Sequence, residues 1–149
     1  MKREAVFSSR APKPKGIYSP AIKAEGRFVF VSGQGPIDPS TNEFVLGDFT
    51  KQAELTFGNV GLLLEEAGTS WENVVKVNVY LADMKDFPAM NEVYKGIARE
   101  PYPARTTVAA GMAPGMLIEV DCVALVPGAS GARHAPAAAA SLPMLAPDK

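Results

Sequence analysis

One guanidinium and a pair of carboxylates carry the clearest chemical signal in this chain of 149 residues. Arg105 stands in "PARTTVAAG", a segment otherwise small and largely apolar, where a planar fork of N–H donors suits the grip of a carboxylate. Further on, "LIEVDCVAL" alternates with the period of a strand: Ile118, Val120, Cys122 and Ala124 share one face, Glu119 and Asp121 the other. In a register that brings Arg105 and Glu119 to one face, two arrangements are open. They are an ion pair within or between subunits, or a site in which Arg105 grips a substrate carboxylate and Glu119 handles a proton. A slip of one residue separates them, and the residues alone leave that register open. Cys122, on the apolar face, reads as a small buried hydrophobe rather than a nucleophile.

Composition removes most other chemistry. With one Cys and one His, the chain lacks the three or four ligands of a zinc site, and Cys122 has no partner for an intramolecular disulfide. The one histidine, His134, lies in a segment rich in Ala and Pro, a poor platform for a triad or a held general base. Fifteen Lys and Arg against 16 Asp and Glu leave a net charge of -1, so the overall field gives no attraction to nucleic acid or an anionic membrane. The start, "MKREAVFSSRAP", lacks the apolar core of a signal peptide, and every apolar stretch falls short of the roughly 20 residues that span a bilayer. The expectation is a cytoplasmic protein with no membrane contact.

The elements that must position Arg105 and Glu119 follow from periodicity. Residues 1–127 read as one domain and 128–149 as an Ala/Pro-rich flexible tail. A weak strand is expected over Ala5–Ser8, a strong one over Arg27–Ser32, and a short one near Phe44. From Asp48 the pattern changes to a helical stripe through Phe49, Ala53, Leu55, Phe57, Val60, Leu63, Leu64 and Ala67 that stops at Gly68. A half-buried strand is expected over Val74–Leu81, a second helix over Phe87–Arg99, and two last strands over Ala104–Ala110 and Met116–Val126, joined as a hairpin by "GMAPG". The fold class is therefore α+β, a mixed sheet with two helices packed on one face. No third helix remains to cover the other face, which points to neighbouring subunits over it, with the Thr107 and Ala109 side of the hairpin included.

Five phrases occur in order: "YSPAI" (Tyr18–Ile22), "FVSGQGPIDP" (Phe30–Pro39), "NVYLADMKDFPAMNEVY" (Asn78–Tyr94), "PARTTV" (Pro103–Val108) and "IEVDCVAL" (Ile118–Leu125). Together they resemble the reactive intermediate deaminase (Rid, YjgF-type) family over nearly all of Ala5–Val126. The resemblance implies a chorismate-mutase-like fold, a homotrimer, and ligand sites in clefts between subunits. It also implies hydrolysis of enamines and imines derived from amino acids, of the 2-aminoacrylate type, to 2-oxo acids and ammonia without metal or cofactor. By position, Arg105 matches the family's substrate-carboxylate arginine, and Glu119 the first acidic residue of its closing E-x-E strand. Tyr18 and Ser32 match the tyrosine and serine that flank the ligand. Pro20 stands where the best-studied members carry glutamine, Ile17 replaces a common proline, and "GMAPG" replaces a Leu-Pro turn; these departures bear on substrate range.

The same residues suit two further readings. One is a non-catalytic trimer that binds a 2-oxo acid or amino acid through Arg105 and serves regulation. The other is a ribonuclease, against which stand the balanced charge, a histidine confined to the tail and the lack of a basic, aromatic platform.

Overall fold

A computed structural model describes residues 1–128, and the expected tail, with His134, lies outside the described residues except for Gly128. Strands β1 (Lys2–Val6) and β2 (Ala21–Glu25) form an antiparallel ribbon, and β3 (Arg27–Gln34) follows after a turn at Gly26, whose φ of 144° favours glycine. Two short strands, β4 (Ile37–Asp38) and β5 (Glu43–Phe44), pair with each other before helix α1 (Phe49–Glu66). Then come β6 (Val74–Leu81), α2 (Phe87–Lys95), β7 (Ala104–Ala109) and β8 (Ile118–Val126).

Each helix starts where its sequence dictates. The Asp48 carboxylate accepts the Lys51 N–H at the start of α1, and Pro88 occupies the first turn of α2, where a missing N–H costs nothing. Helix α1 stops before Gly68, at φ 78°, and α2 stops at Gly96, short of the expected Arg99.

The main sheet has the order β3-β8-β6-β7, with β8 antiparallel to both neighbours and β7 parallel to β6. This corrects the expected hairpin: β7 and β8 do not pair, because β6 lies between them. Its buried Val75, Val77, Val79 and Leu81 make it a central strand, and the connection over residues 110–117 is long enough to pass it.

Phe57, Val60 and Leu64 of α1 and Met90 and Tyr94 of α2 pack on Val77, Val79, Val120 and Cys122, forming the core on one face of the sheet. The other face carries Phe28, Phe30, Lys76, Asn78, Tyr80, Glu119, Asp121 and Val123, with Phe30 75% exposed. Register places Thr107 and Ala109 opposite Val79 and Leu81, so they belong to the helix side, and Thr106 and Val108 are the β7 residues on the open face. Among the described residues no helix is long and apolar enough to cross a membrane.

Candidate active site

Arg105 lies in β7 opposite Val77 and therefore projects toward the helices. Helix α2 receives it with residues one and two turns apart. The Asn91 Oδ1 accepts a hydrogen bond from Nη1 at 2.8 Å, and the guanidinium carbon lies 4.9 Å from the centre of the Tyr94 ring and 5.8 Å from that of Phe87. Burial depresses the Arg105 pKa, an effect that Tyr94 and Tyr18 partly oppose. Tyr94 is fully buried, and burial pushes its phenol far above the ordinary range, so it stays neutral beneath the cation.

The two ion pairs of the described residues are Lys2–Glu4 and Lys95–Glu92, and neither involves Arg105. A desolvated cation is thus held in one orientation by an amide oxygen and two rings, with its charge left to meet an anion from elsewhere. Tyr18 belongs to this half of the site. Its hydroxyl accepts the Lys15 N–H at 3.1 Å, and the next residue, Ser19, donates its N–H to the Pro103 carbonyl at 3.1 Å, tying the loop to the start of β7.

Glu119 lies across from Tyr80 on the open face of the sheet. Its carboxylate covers Gly33: a Cβ built on that glycine falls 2.7 Å from Oε1, so only glycine leaves room for the acid there. Ser32, exposed, precedes Gly33 where β3 breaks register with β8 between Val31 and Gln34. Asp121, the second acid of the strand, is already engaged by Asn78 Nδ2 at 2.8 Å and the Tyr80 hydroxyl at 2.9 Å, a bond that raises the Tyr80 pKa. Glu119 is in neither ion pair of the described residues, which leaves it the freer acid.

The structure thus sets Tyr18 close enough to Arg105 to oppose the fall in its pKa, and Gly33, next to Ser32, against Glu119, but it does not join the two halves within one chain. Arg105 and Glu119 are on opposite faces of one sheet, on strands two spacings, about 10 Å, apart. An ion pair between them inside one subunit is excluded, as is a one-chain site containing both.

Three contributors escape a reading of the sequence. Asn91 looks like a polar helix residue and Tyr94 like part of an apolar stripe; only their spacing on α2 against the strand of Arg105 marks them. Gly33 reads as a turn glycine, whereas its function here is to make room for Glu119. Cys122 is 1% exposed, and its thiol is pushed up to about 12 by burial and then by Asp121, which agrees with the core assignment.

A model of the family described as Endoribonuclease L-PSP matches residues 8–126. A RutC family protein of Pyrococcus abyssi is 49% identical over 125 residues, covering 83% of this chain and 98% of its own. The 2-iminobutanoate/2-iminopropanoate deaminase of Mus musculus is 36% identical over 124 residues, covering 83% and 91%. Among solved structures, E. coli TdcF with bound serine superposes with a TM-score of 0.61 at 31% identity, over 83% of this chain and 99% of that one.

Proposed function

Because this chain belongs to the Endoribonuclease L-PSP family, the YjgF/Rid group, we propose that it hydrolyses enamines and imines of amino-acid origin, of the 2-aminoacrylate type, to 2-oxo acids and ammonia. The observation that carries the reading is the Arg105 guanidinium, half buried, held by Asn91 and stacked on Tyr94 and Phe87, yet in neither ion pair of the described residues. A 2-imino acid supplies the missing carboxylate. The name of the mouse relative supports the same substrate class, and the serine in the TdcF structure is an amino acid of matching size and charge.

Chemistry of this kind asks little of the protein, since an imine is already electrophilic. A proton from solvent at the terminal carbon of the enamine gives the imine in its protonated form, the iminium. Arg105 fixes the carboxylate by a two-pronged hydrogen bond, so that the C=N carbon meets a water held by Glu119 and Ser32. As the water adds, its oxygen bonds to that carbon, the C=N pair moves to nitrogen, and Glu119 takes the proton. Glu119 then returns the proton to the amine, the C–N bond breaks with its electron pair on nitrogen, and ammonia leaves as the hydroxyl passes its proton to Glu119 and the C=O bond forms. Tyr18 walls the Arg105 side of the cleft.

Since one chain keeps Arg105 and Glu119 on opposite sheet faces, the reading requires two copies: the β7 edge of one subunit against the open face of another. The exposed Phe28 and Phe30 on that open face favour such a contact, and we place it in a homotrimer. Generating 2-aminoacrylate in the assay with a serine dehydratase and following its loss tests the proposal. Acceleration over the spontaneous rate is expected, and a rate equal to the blank would overturn it.

A second reading, binding without turnover, draws on the bound serine of TdcF. Glu119→Gln separates the two: a hydrolase loses rate while ligand affinity stays within a few-fold, and a binder has no rate to lose.

A further inference from the structure

Helix α1 buries two amide side chains that the chemistry above does not use. Gln52 is fully buried, and Asn59, two turns further along the same helix, is 8% exposed. An apolar residue would suit either position if packing were the only demand, since a buried amide is stabilising only when its donors and acceptor are met.

Their partners identify what they do. The Gln52 Nε2 donates to the Gly115 carbonyl at 3.0 Å and to the Gly47 carbonyl at 3.4 Å, while its Oε1 accepts the Leu117 N–H at 2.9 Å. Gln52 therefore bonds residues 115 and 117 as a neighbouring strand would, and β8 starts at the next residue, with Glu119 two positions beyond Leu117. The Asn59 Nδ2 donates to the carbonyls of Gly35, at 3.1 Å, and Ile37, at 2.7 Å. Those carbonyls close the irregular end of β3 that carries Ser32 and Gly33. The two held segments also touch each other: a Cβ on Gly35 would fall 2.8 Å from the Met116 Cε, and one on Gly33 falls on Glu119.

We infer that Gln52 and Asn59 are positioning residues: they fix the segments 33–37 and 115–119 against each other and so hold the Glu119 carboxylate against Gly33, next to Ser32. The Arg105 half of the site, built on α2 and β7, does not depend on them. This inference rests on the proposed hydrolysis for its kinetic consequence, but its geometric consequence stands apart from it.

The test uses Gln52→Glu and Asn59→Ser in the full chain, with Glu119→Gln as reference. Gln52→Glu keeps the acceptor for Leu117 but, when ionised, replaces the donor to Gly115 with a repelling oxygen; protonation restores a donor. Because burial raises the pKa of the new acid, the ionised form is reached at the alkaline end of the pH range, and there we expect kcat to fall about 10- to 100-fold, the scale of a misplacement of about 1 Å, with KM within about 2-fold because Arg105 is undisturbed. The ratio of variant to native kcat should climb as pH is lowered and the new acid protonates. Counted per folded molecule, a residue that merely supports the fold shows no loss of kcat to recover.

Substrate-free, the Gly33 amide resonance should move with pH in the native protein, stay still in Glu119→Gln, and move much less in Gln52→Glu and Asn59→Ser. If the native protein hydrolyses no imine, the proposed function falls and the Gly33 resonance alone decides the positioning. Native-like kcat in Gln52→Glu at every pH, a loss confined to KM, or a full Gly33 response in both variants would overturn it.

Discussion

At the scale of single residues, Arg105 separates charge from geometry. Lys keeps the positive charge but offers a point donor in place of a planar fork, and it cannot stack on Tyr94 and Phe87 or bond Asn91 in the same way. Arg105→Lys should therefore lose most of the activity, and Arg105→Ala more, about 2–5 kcal/mol in kcat/KM, the range for removing one partner of a buried charge pair. Oligomeric state should survive both, since the proposed partner of the Arg105 charge is the ligand rather than a group of a neighbouring subunit. Steady-state rates and sedimentation on the same Arg105→Lys sample check this; undiminished activity in a stable assembly would sink the carboxylate clamp. Cys122 makes a different prediction. Its thiol ionises at an ordinary 9.0 in an unfolded chain but only at about 12 when folded, so the folded state binds the extra proton between these values. Its contribution to stability is intact below about pH 9 and is lost as pH rises toward 12, while at pH 8 a thiol reagent should label the native protein only as fast as it unfolds. Rapid stoichiometric labelling without unfolding would contradict its burial.

At the scale of elements, Gly33 tests the meeting of β3 and β8. An added Cβ falls 2.7 Å from Glu119 Oε1, and the atom it meets is the far end of a movable side chain rather than backbone. Gly33→Ala should accordingly shift the carboxylate and leave the fold nearly as stable, within about 1 kcal/mol, while kcat falls at least 10-fold. Thermal melting and kinetics measured together decide it, and a large drop in melting temperature with kcat per folded molecule unchanged would refute the placement. The elements themselves were unevenly legible. Val74–Leu81 was readable residue for residue because its alternating valines leave one period, and α1 because its stripe is bounded by Asp48 and Gly68. Strand β2, "AIKAE", has too little β-branched or aromatic content to stand out, and β1 begins at Lys2 behind charged residues rather than at Ala5. The expected β7–β8 hairpin failed for a non-local reason: chain proximity favoured pairing, but β6, whose Val77, Val79 and Leu81 lie in the core, pairs with each of them along one edge. That one error concealed the separation of Arg105 and Glu119, because faces are inherited through the strand between them. Arg105, Glu119, Tyr18 and Ser32 could be named from local phrases, whereas Asn91, Gln52 and Asn59 acquire their meaning only from what the fold sets opposite them.

At the scale of the whole molecule, the division of the site between two sheet faces gives a quantitative test. If each site takes Arg105 from one subunit and Glu119 from its neighbour, Arg105→Ala and Glu119→Gln are complementary defects. In any mixed trimer, going round the ring, one of the three interfaces joins a subunit that keeps Arg105 to one that keeps Glu119. Random mixing in equal amounts pairs intact halves at one interface in four, so co-refolding two inactive proteins should restore about a quarter of native activity. Mixing without subunit exchange should restore nothing, which guards against contamination. The same assembly predicts that Phe30→Glu, a charge placed on the open face at a side chain now 75% exposed, abolishes both the trimer and the activity while the isolated fold survives. A chain ended after Val126, where the family match also ends, should complement as well as the full chain, because every residue assigned to either half lies before that point. Failure of the two inactive variants to recover any rate, in a sample shown by native mass spectrometry to contain mixed trimers, would place both groups in one subunit, against the opposite faces that β6 imposes on them, and would remove the intersubunit site.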